Sequence, residues 1–133
     1  AYVVHGSGLD EAAVHGTTEI AELKEDGTIE RSTLTPADLG AKRLYSIEEI
    51  KGGAPADNAL ITEAILAGKG TEAQQAFVTA NLALLLKIGG LAKSLPEAVE
   101  LARRTMASGK GLEVLNAHRA YAASHTASSQ KAA

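Results

Sequence analysis

The chain has 133 residues, of which 45% are hydrophobic, and carries a formal net charge of −3 from 16 acidic and 13 basic residues. This length suits one domain with a modest core, and the scattered basic residues leave no electrostatic footprint for DNA or another polyanion. The absence of cysteine excludes disulfides, thiol nucleophiles and thiolate zinc sites, and it fits a reducing compartment, so we expect a cytoplasmic protein.

The first predicted element is a strand. Residues 2–4, YVV, are apolar and are followed at once by Gly6 and Gly8, a pattern typical of a buried strand of a parallel sheet that ends in a functional loop. A buried strand needs neighbours on both sides to pair its backbone. A chain that opens on such a strand is therefore interpreted as a fragment of a longer protein.

Turn signals dominate the next part of the chain. Asp26-Gly27 separates two partly alternating segments within residues 17–34, which predicts an antiparallel hairpin with one wet face. Thr35 and Pro36 then predict a short helix that ends at Gly40. Residues 46–49, SIEE, form a capping-box pattern that predicts about one helical turn before the double glycine at 52–53.

The rest of the chain is predicted to be helical. Helices are expected from Pro55 to Gly68, from Thr71 to the glycines at 89–90, from Ser94 to Gly109 and over residues 112–121. The second of these is apolar enough to be buried nearly all round, yet its apolar run, residues 76–88, is too short to span a bilayer. Residues 124–133 are small and polar and are expected to be a disordered tail.

The single site candidate is the loop at residues 6–11, GSGLDE. The adjacent carboxylates of Asp10 and Glu11 repel each other unless a cation lies between them, and magnesium is held by few carboxylates together with substrate phosphates. The pair therefore predicts a magnesium site shared with a phosphorylated ligand, against the alternative of an exposed turn with two solvated acids. Glu11 also occupies the third glycine position of G-x-G-x-x-G, which disfavours direct phosphate binding by this loop.

Four further polar residues receive no functional role. His5 and His15 flank the acidic pair, and a lone histidine near a strand end is more often a structural hydrogen-bonding residue. Asn58 and Asn81 lie in helices rich in apolar residues, where a buried amide must be hydrogen-bonded. A bond to a loop or a helix end is the favoured interpretation for both.

Residues 4–11, VHGSGLDE, resemble the Gly-Leu-Asp-Glu loop of the anthranilate phosphoribosyltransferase family. Further segments resemble family motifs in the family's order: 18–23 with 26–29 (the hairpin), 34–40 ("T-P-E-D-F-G"), 52–59 ("G-G-x-x-x-x-N-A"), 81–85 ("N-A-A") and 98–115 (the closing segment). These segments cover nearly all of residues 1–123 and follow the order of the family's motifs, and this order is the basis for the resemblance.

The resemblance implies an α/β fold. Residues 1–123 would be the C-terminal part of the large α/β domain of a nucleoside phosphorylase/phosphoribosyltransferase-like fold, arranged as strand, loop, hairpin and helical block. The implied reaction is transfer of a 5-phosphoribosyl group from phosphoribosyl pyrophosphate to anthranilate in tryptophan biosynthesis. Asp10 and Glu11 would hold Mg²⁺ near the pyrophosphate, and no catalytic residue carries over onto this chain.

The resemblance also implies partners. The family's "G-T-G-G-D" phosphate loop and its anthranilate-contacting residues have no match here, so an N-terminal remainder would supply them, and the complete enzyme is expected to be a homodimer. No nucleic acid and no membrane is expected as a partner. Two alternatives remain open at this point, a pyrimidine nucleoside phosphorylase-like enzyme and a non-catalytic paralogue that binds nucleic acid, although the acidic balance does not favour the second.

Overall fold

A computed structural model describes the backbone of residues 1–130 and the side chains of residues 1–125. A three-stranded sheet comes first and a helical block follows it. The elements are β1 (Tyr2–His5), β2 (Thr18–Leu23), β3 (Ile29–Leu34), α1 (Ile47–Ile50), α2 (Pro55–Leu66), α3 (Glu72–Ile88), α4 (Leu95–Ala107) and α5 (Lys110–Gln130). This order confirms the predicted mixed α/β class, with the sheet preceding the helices.

The sheet is antiparallel throughout, in the order β1-β2-β3. Val3 lies opposite Ala21 and Val4 opposite Ile20, so the expectation that β1 lies in a parallel pair is wrong for the described chain. The reason is the connection: residues 6–17 contain no helix, and parallel neighbours need a crossover, usually a helix. Burial of β1 alternates, with Val3 71% exposed, rather than being complete.

The predicted hairpin is confirmed. Gly27 takes a positive φ of 84° in the turn, and Asp26 Oδ1 accepts hydrogen bonds from the backbone N–H and the hydroxyl of Thr28 at 2.9 and 2.7 Å. These bonds lower the pKa of Asp26. Ile20 of β2 is buried whereas β3 is exposed along nearly its whole length, so the sheet has the expected wet face.

Residues 36–40 form a turn, and the short helix predicted there is absent. Asp38 Oδ2 accepts the backbone N–H and the hydroxyl of Thr35 at 2.8 and 2.6 Å, and these bonds lower the pKa of Asp38. The backbone N–H of Ala41 donates to the carbonyl of Pro36 at 2.9 Å, with Gly40 at a φ of 85°. The chain thus reverses within five residues, which leaves no room for a helix, and the turn buries Leu39 completely.

Helix α3 is the centre of the molecule. Thr71 caps its N-terminus by accepting the backbone N–H of Gln74. One side of α3 presents Ala80 and Leu84 to the sheet, and Ala83 packs with the alanines of α4. Small side chains allow the two helices to approach closely. The expectation that α3 is buried nearly all round is wrong, because Leu85 is 66% exposed.

Helix α5 is longer than the sequence indicates. The expected helix covered residues 112–121 and the expected disordered tail began at Ser124, whereas α5 runs from Lys110 to Gln130. Alanine recurs through this segment and has the highest helix propensity. Residues 131–133 lie outside the described part of the chain. In that described part, none of the helices has the length and apolar character needed to cross a membrane.

Leu39 offers a test of the core. It is 0% exposed in the cluster that joins the loop, β2 and α3, so Leu39→Ala should lower the free energy of unfolding by about 2–5 kcal/mol. Leu44→Ala is the matched control, because Leu44 is 64% exposed and should change stability by about 0.5 kcal/mol or less. Urea titration measures both values, and equal effects would contradict the assignment of Leu39 to the core.

Acid titration offers a second test. Arg43 donates to both carboxylate oxygens of Glu49 at 2.6 and 3.3 Å, and the N–H of Ser46 donates at 2.8 Å; these bonds lower the pKa of Glu49 from 4.5 to about 2. A lowered folded-state pKa stabilises the fold above the unfolded-state pKa, and this stabilisation is lost as pH falls through the folded-state value. We expect the stability difference between the wild type and Glu49→Gln to shrink between pH about 4.5 and about 2.

The matched control for this titration is Glu48→Gln. Glu48 lies in the same helix and forms only a 3.6 Å ion pair with Lys51 between exposed side chains. Its difference from the wild type should be small, because an exposed ion pair contributes little to stability. Denaturant titrations at several pH values measure both differences. A Glu49→Gln difference that stays constant with pH would show that Glu49 keeps its ordinary protonation behaviour.

Candidate functional site: the acidic loop after the first strand

The loop that follows β1 opens with a tight turn. The backbone N–H of Gly6 donates to the carbonyl of Leu9 at 3.0 Å, and that of Leu9 donates to Gly6 at 3.2 Å. The central residues Ser7 and Gly8 both have positive φ, 51° and 98°, which is the pattern of a primed hairpin turn. The Ser7 hydroxyl also donates to the carbonyl of Thr17 at 2.9 Å. Both ends of the loop are therefore tied together directly before the two acids.

Asp10 and Glu11 are both exposed. Among the described residues neither carboxylate has a hydrogen-bond or ion-pair partner, and no cluster of three or more His, Cys, Asp or Glu forms a complete metal site. The donor set is thus two free carboxylates with open space around them. Magnesium keeps several waters and takes one or two carboxylates together with substrate phosphates. The observed oxygen donors fit such a cation, provided that other groups fill its remaining positions.

The backbone behind the acids is buried. Ala12, Ala13 and Val14 are all 0% exposed, and buried backbone groups must be hydrogen-bonded. The N–H of Ala13 donates to the Thr18 hydroxyl at 2.9 Å, and the carbonyl of Val14 accepts the N–H of Tyr45 at 3.1 Å. Strand β2 and the segment before α1 therefore hold this stretch in place.

Helix α3 supplies the third attachment. The N–H of Ala12 donates to Asn81 Oδ1 at 2.8 Å, and Asn81 Nδ2 donates to the carbonyls of Ala12 and Phe77 at 3.1 and 3.0 Å. Asn58 bonds in the same way to the N–H and carbonyl of Gly53 at 2.8 and 3.1 Å. Both amides thus make the backbone bonds expected of them. No local pattern indicates that Asn81 holds the acidic loop, because its partner is 69 residues away.

The two histidines beside the loop make structural hydrogen bonds, as expected. The N–H of Gly8 donates to His5 Nε2 at 3.4 Å, and His15 Nε2 donates to the carbonyl of Ser7 at 3.2 Å. The second ring nitrogen of His15 is buried without a described partner. Neither imidazole hydrogen-bonds to the carboxylate of Asp10 or Glu11, so the structure supports no role for them as bases of this pair.

A groove of about 380 Å³ lies beside Glu11, between the acidic loop and α1. The groove is lined mainly by apolar atoms, and its charged lining residues are Glu11, Glu48 and Lys51. The remaining lining residues are Leu9, Ile47, Ile50, Gly52 and Phe77. Glu11 therefore lines a cleft that is open to solvent.

Gly6 is required by a close backbone approach. A Cβ at this position would collide with the carbonyl oxygen of Glu11 and would lie 2.6 Å from the nitrogen of Ala13. Because these are backbone atoms, Gly6→Ala should lower the free energy of unfolding by about 1–3 kcal/mol and should shift the acids. Thermal unfolding measures this loss. The control is Gly111→Ala in helix α5, where the added Cβ meets only the flexible end of the Leu66 side chain. This substitution should change the free energy of unfolding by no more than about 1 kcal/mol.

Comparison with known proteins places the chain in a family. A family model described as the α/β domain of a glycosyl transferase family matches residues 1–112. Among curated proteins, the anthranilate phosphoribosyltransferase of Tolumonas auensis is 54% identical over 84% of this chain, and that of Shewanella putrefaciens is 53% identical over 87%. The chain spans about a third of the length of these relatives, 32% and 33%.

Solved structures agree. The anthranilate phosphoribosyltransferase of Thermus thermophilus matches with a TM-score of 0.80 and 30% identity, covering 91% of this chain and 35% of that one. The enzyme of Saccharomyces cerevisiae, in a variant with magnesium bound, matches with a TM-score of 0.76, 23% identity and coverage of 86% and 33%, which shows the fold alone. These comparisons confirm the resemblance to the anthranilate phosphoribosyltransferase family that the sequence motifs indicate. The chain belongs to the glycosyl transferase family and carries part of its α/β domain.

Proposed function

We propose that this chain supplies the metal-binding acidic loop of an anthranilate phosphoribosyltransferase. The observation that carries the proposal is the pair of unpartnered carboxylates, Asp10 and Glu11, on a loop whose following backbone is buried and hydrogen-bonded. The names of the relatives supply the reaction. The substrates would be phosphoribosyl pyrophosphate and anthranilate, and the products would be pyrophosphate and the phosphoribosylated amine.

In this reaction the amine nitrogen forms a bond to the anomeric carbon of the ribose while the bond to the pyrophosphate oxygen breaks, and the nitrogen releases one proton. Asp10 and Glu11 would hold Mg²⁺, which when bound neutralises the charge that grows on the leaving oxygens. Their exposure leaves both carboxylates accessible to a metal–pyrophosphate group. The buried backbone behind them holds the loop that carries both acids before substrate arrives, and such preorganisation reduces the cost of reaching the transition state.

The rest of the active site would come from outside this chain. The chain spans about a third of its relatives, and it has no match for the phosphate loop or for anthranilate-contacting residues. We therefore propose an N-terminal remainder that carries them. Within the described sheet β1 pairs with β2 alone, so its outer edge could accept a further strand. For the complete protein we propose a homodimer in the cytoplasm.

Replacing the acids tests the proposal. In the complete polypeptide that contains this chain, Asp10→Asn and Glu11→Gln should each lower the rate of anthranilate-dependent pyrophosphate release by about 10²-fold or more, the order of loss for a preorganised charge-stabilising group. Each should also raise the Mg²⁺ concentration that gives half-maximal activity. Thermal stability should be unchanged or higher, because the change relieves repulsion between two carboxylates.

Glu25→Gln is the control, because Glu25 is an exposed acid in the hairpin turn and should leave both the rate and the magnesium requirement unchanged. If the complete wild-type protein releases no pyrophosphate with anthranilate, the proposed reaction is wrong. If the wild type is active and the acid variants keep its rate and magnesium requirement, the assignment of Asp10 and Glu11 is wrong.

A further inference from the structure

The Asn81 side chain uses three hydrogen bonds to join helix α3 to the loop. Oδ1 accepts the N–H of Ala12, while the two hydrogens on Nδ2 go to the carbonyls of Ala12 and Phe77. The bond to Phe77, one turn earlier in α3, fixes the orientation of the amide. The two bonds to Ala12 satisfy both polar groups of a residue that is 0% exposed. Hydrogen bonds therefore fix both the oxygen and the nitrogen of the Asn81 amide.

Ala12 follows Glu11 directly, and the other attachments of this segment lie further along the chain. Thr18 holds Ala13 and the backbone of Tyr45 holds Val14. Among the described residues, Asn81 is thus the side chain hydrogen-bonded closest in sequence to the acids. The peptide plane between Glu11 and Ala12 includes the N–H that donates to Asn81. Because the Cα of Glu11 lies in this plane, holding the plane restricts the ψ rotation of Glu11 and so limits the directions that its side chain can take.

We infer that Asn81 is a positioning residue for the divalent cation, acting through the backbone of Ala12 to orient Glu11 and Asp10. This inference rests on the proposed function, because it concerns the same metal site. Asn81 does not touch the cation or the substrate. Its effect is to limit the orientations of the two carboxylates, so that less freedom is lost when both bind one ion. Groups that orient metal ligands commonly affect metal affinity or activity by about 10–100-fold.

The chain contains a matched comparison. Asn58 makes the same two bonds to the N–H and carbonyl of Gly53, but that segment lies before α2 and carries neither acid. A general need for a bridging amide would give similar results at both positions. A positioning role in metal binding would appear at Asn81 alone.

The experiment uses the complete polypeptide with Asn81→Ala, Asn81→Asp, Asn58→Ala and Asn58→Asp. Two quantities are measured: the Mg²⁺ concentration that gives half-maximal activity, and the affinity for Mn²⁺ alone from the electron paramagnetic resonance signal of the free ion. Both Asn81 variants should weaken metal binding by about 10–100-fold, with saturating Mg²⁺ restoring part of the turnover. Both Asn58 variants should bind metal as the wild type does.

Asn81→Asp keeps the side-chain volume and can still accept from Ala12, so it decides the question if Asn81→Ala does not fold. Folded Asn81 variants with the wild-type metal requirement would overturn the inference, as would equal weakening at Asn58. Failure of the proposed function gives a different result. A wild-type protein that binds Mn²⁺ but releases no pyrophosphate with anthranilate would refute the reaction, while the Mn²⁺ affinities of the variants would still decide the role of Asn81.

Discussion

The three residues Ala12, Ala13 and Val14 form the point at which the parts of the molecule meet. They are wholly buried, and their backbone groups bond to α3, to the start of β2 and to the segment before α1. A buried N–H or carbonyl without a partner costs about 1–3 kcal/mol. The sheet, the loop and the central helix therefore cannot shift independently. The acids that precede this segment take their stable position from it.

The small side chains of the core make this arrangement possible. Ala12 belongs to the same core cluster as Leu39 and as Ala73 and Ala80 of α3, so the loop backbone can come close to the helix. A larger residue at these positions would separate the loop from α3 and stretch the bonds that Asn81 makes. With few aromatic residues in the chain, stability depends on close approach of backbones rather than on large interior side chains.

Features set by neighbouring residues could be predicted from the sequence. The hairpin at Asp26-Gly27 and the caps at Thr71 and Ser94 depend on groups a few residues apart, and the structure has them. The acidic pair could also be recognised, because its residues are adjacent.

Features set by distant partners could not be predicted. The direction of β1 depends on which strand pairs with it, and apolar residues in a short run fit either a parallel or an antiparallel neighbour. The prediction at residues 36–40 fails for a local reason: the Thr35 N–H donates to Asp38, three residues further on, and the chain closes a turn where a helix start is expected. The partner of Asn81 lies 69 residues away, so no local pattern could identify it.

The open edge of β1 has a practical consequence for the chain in isolation. Strand edges with free N–H and carbonyl groups act as templates for pairing with other chains, and native proteins cover or charge them. Here the edge carries Val3, a largely exposed apolar residue, and no lysine or proline. Separated from any covering segment, this chain would be prone to edge-to-edge aggregation, so expression as a longer polypeptide is the sounder route to soluble material.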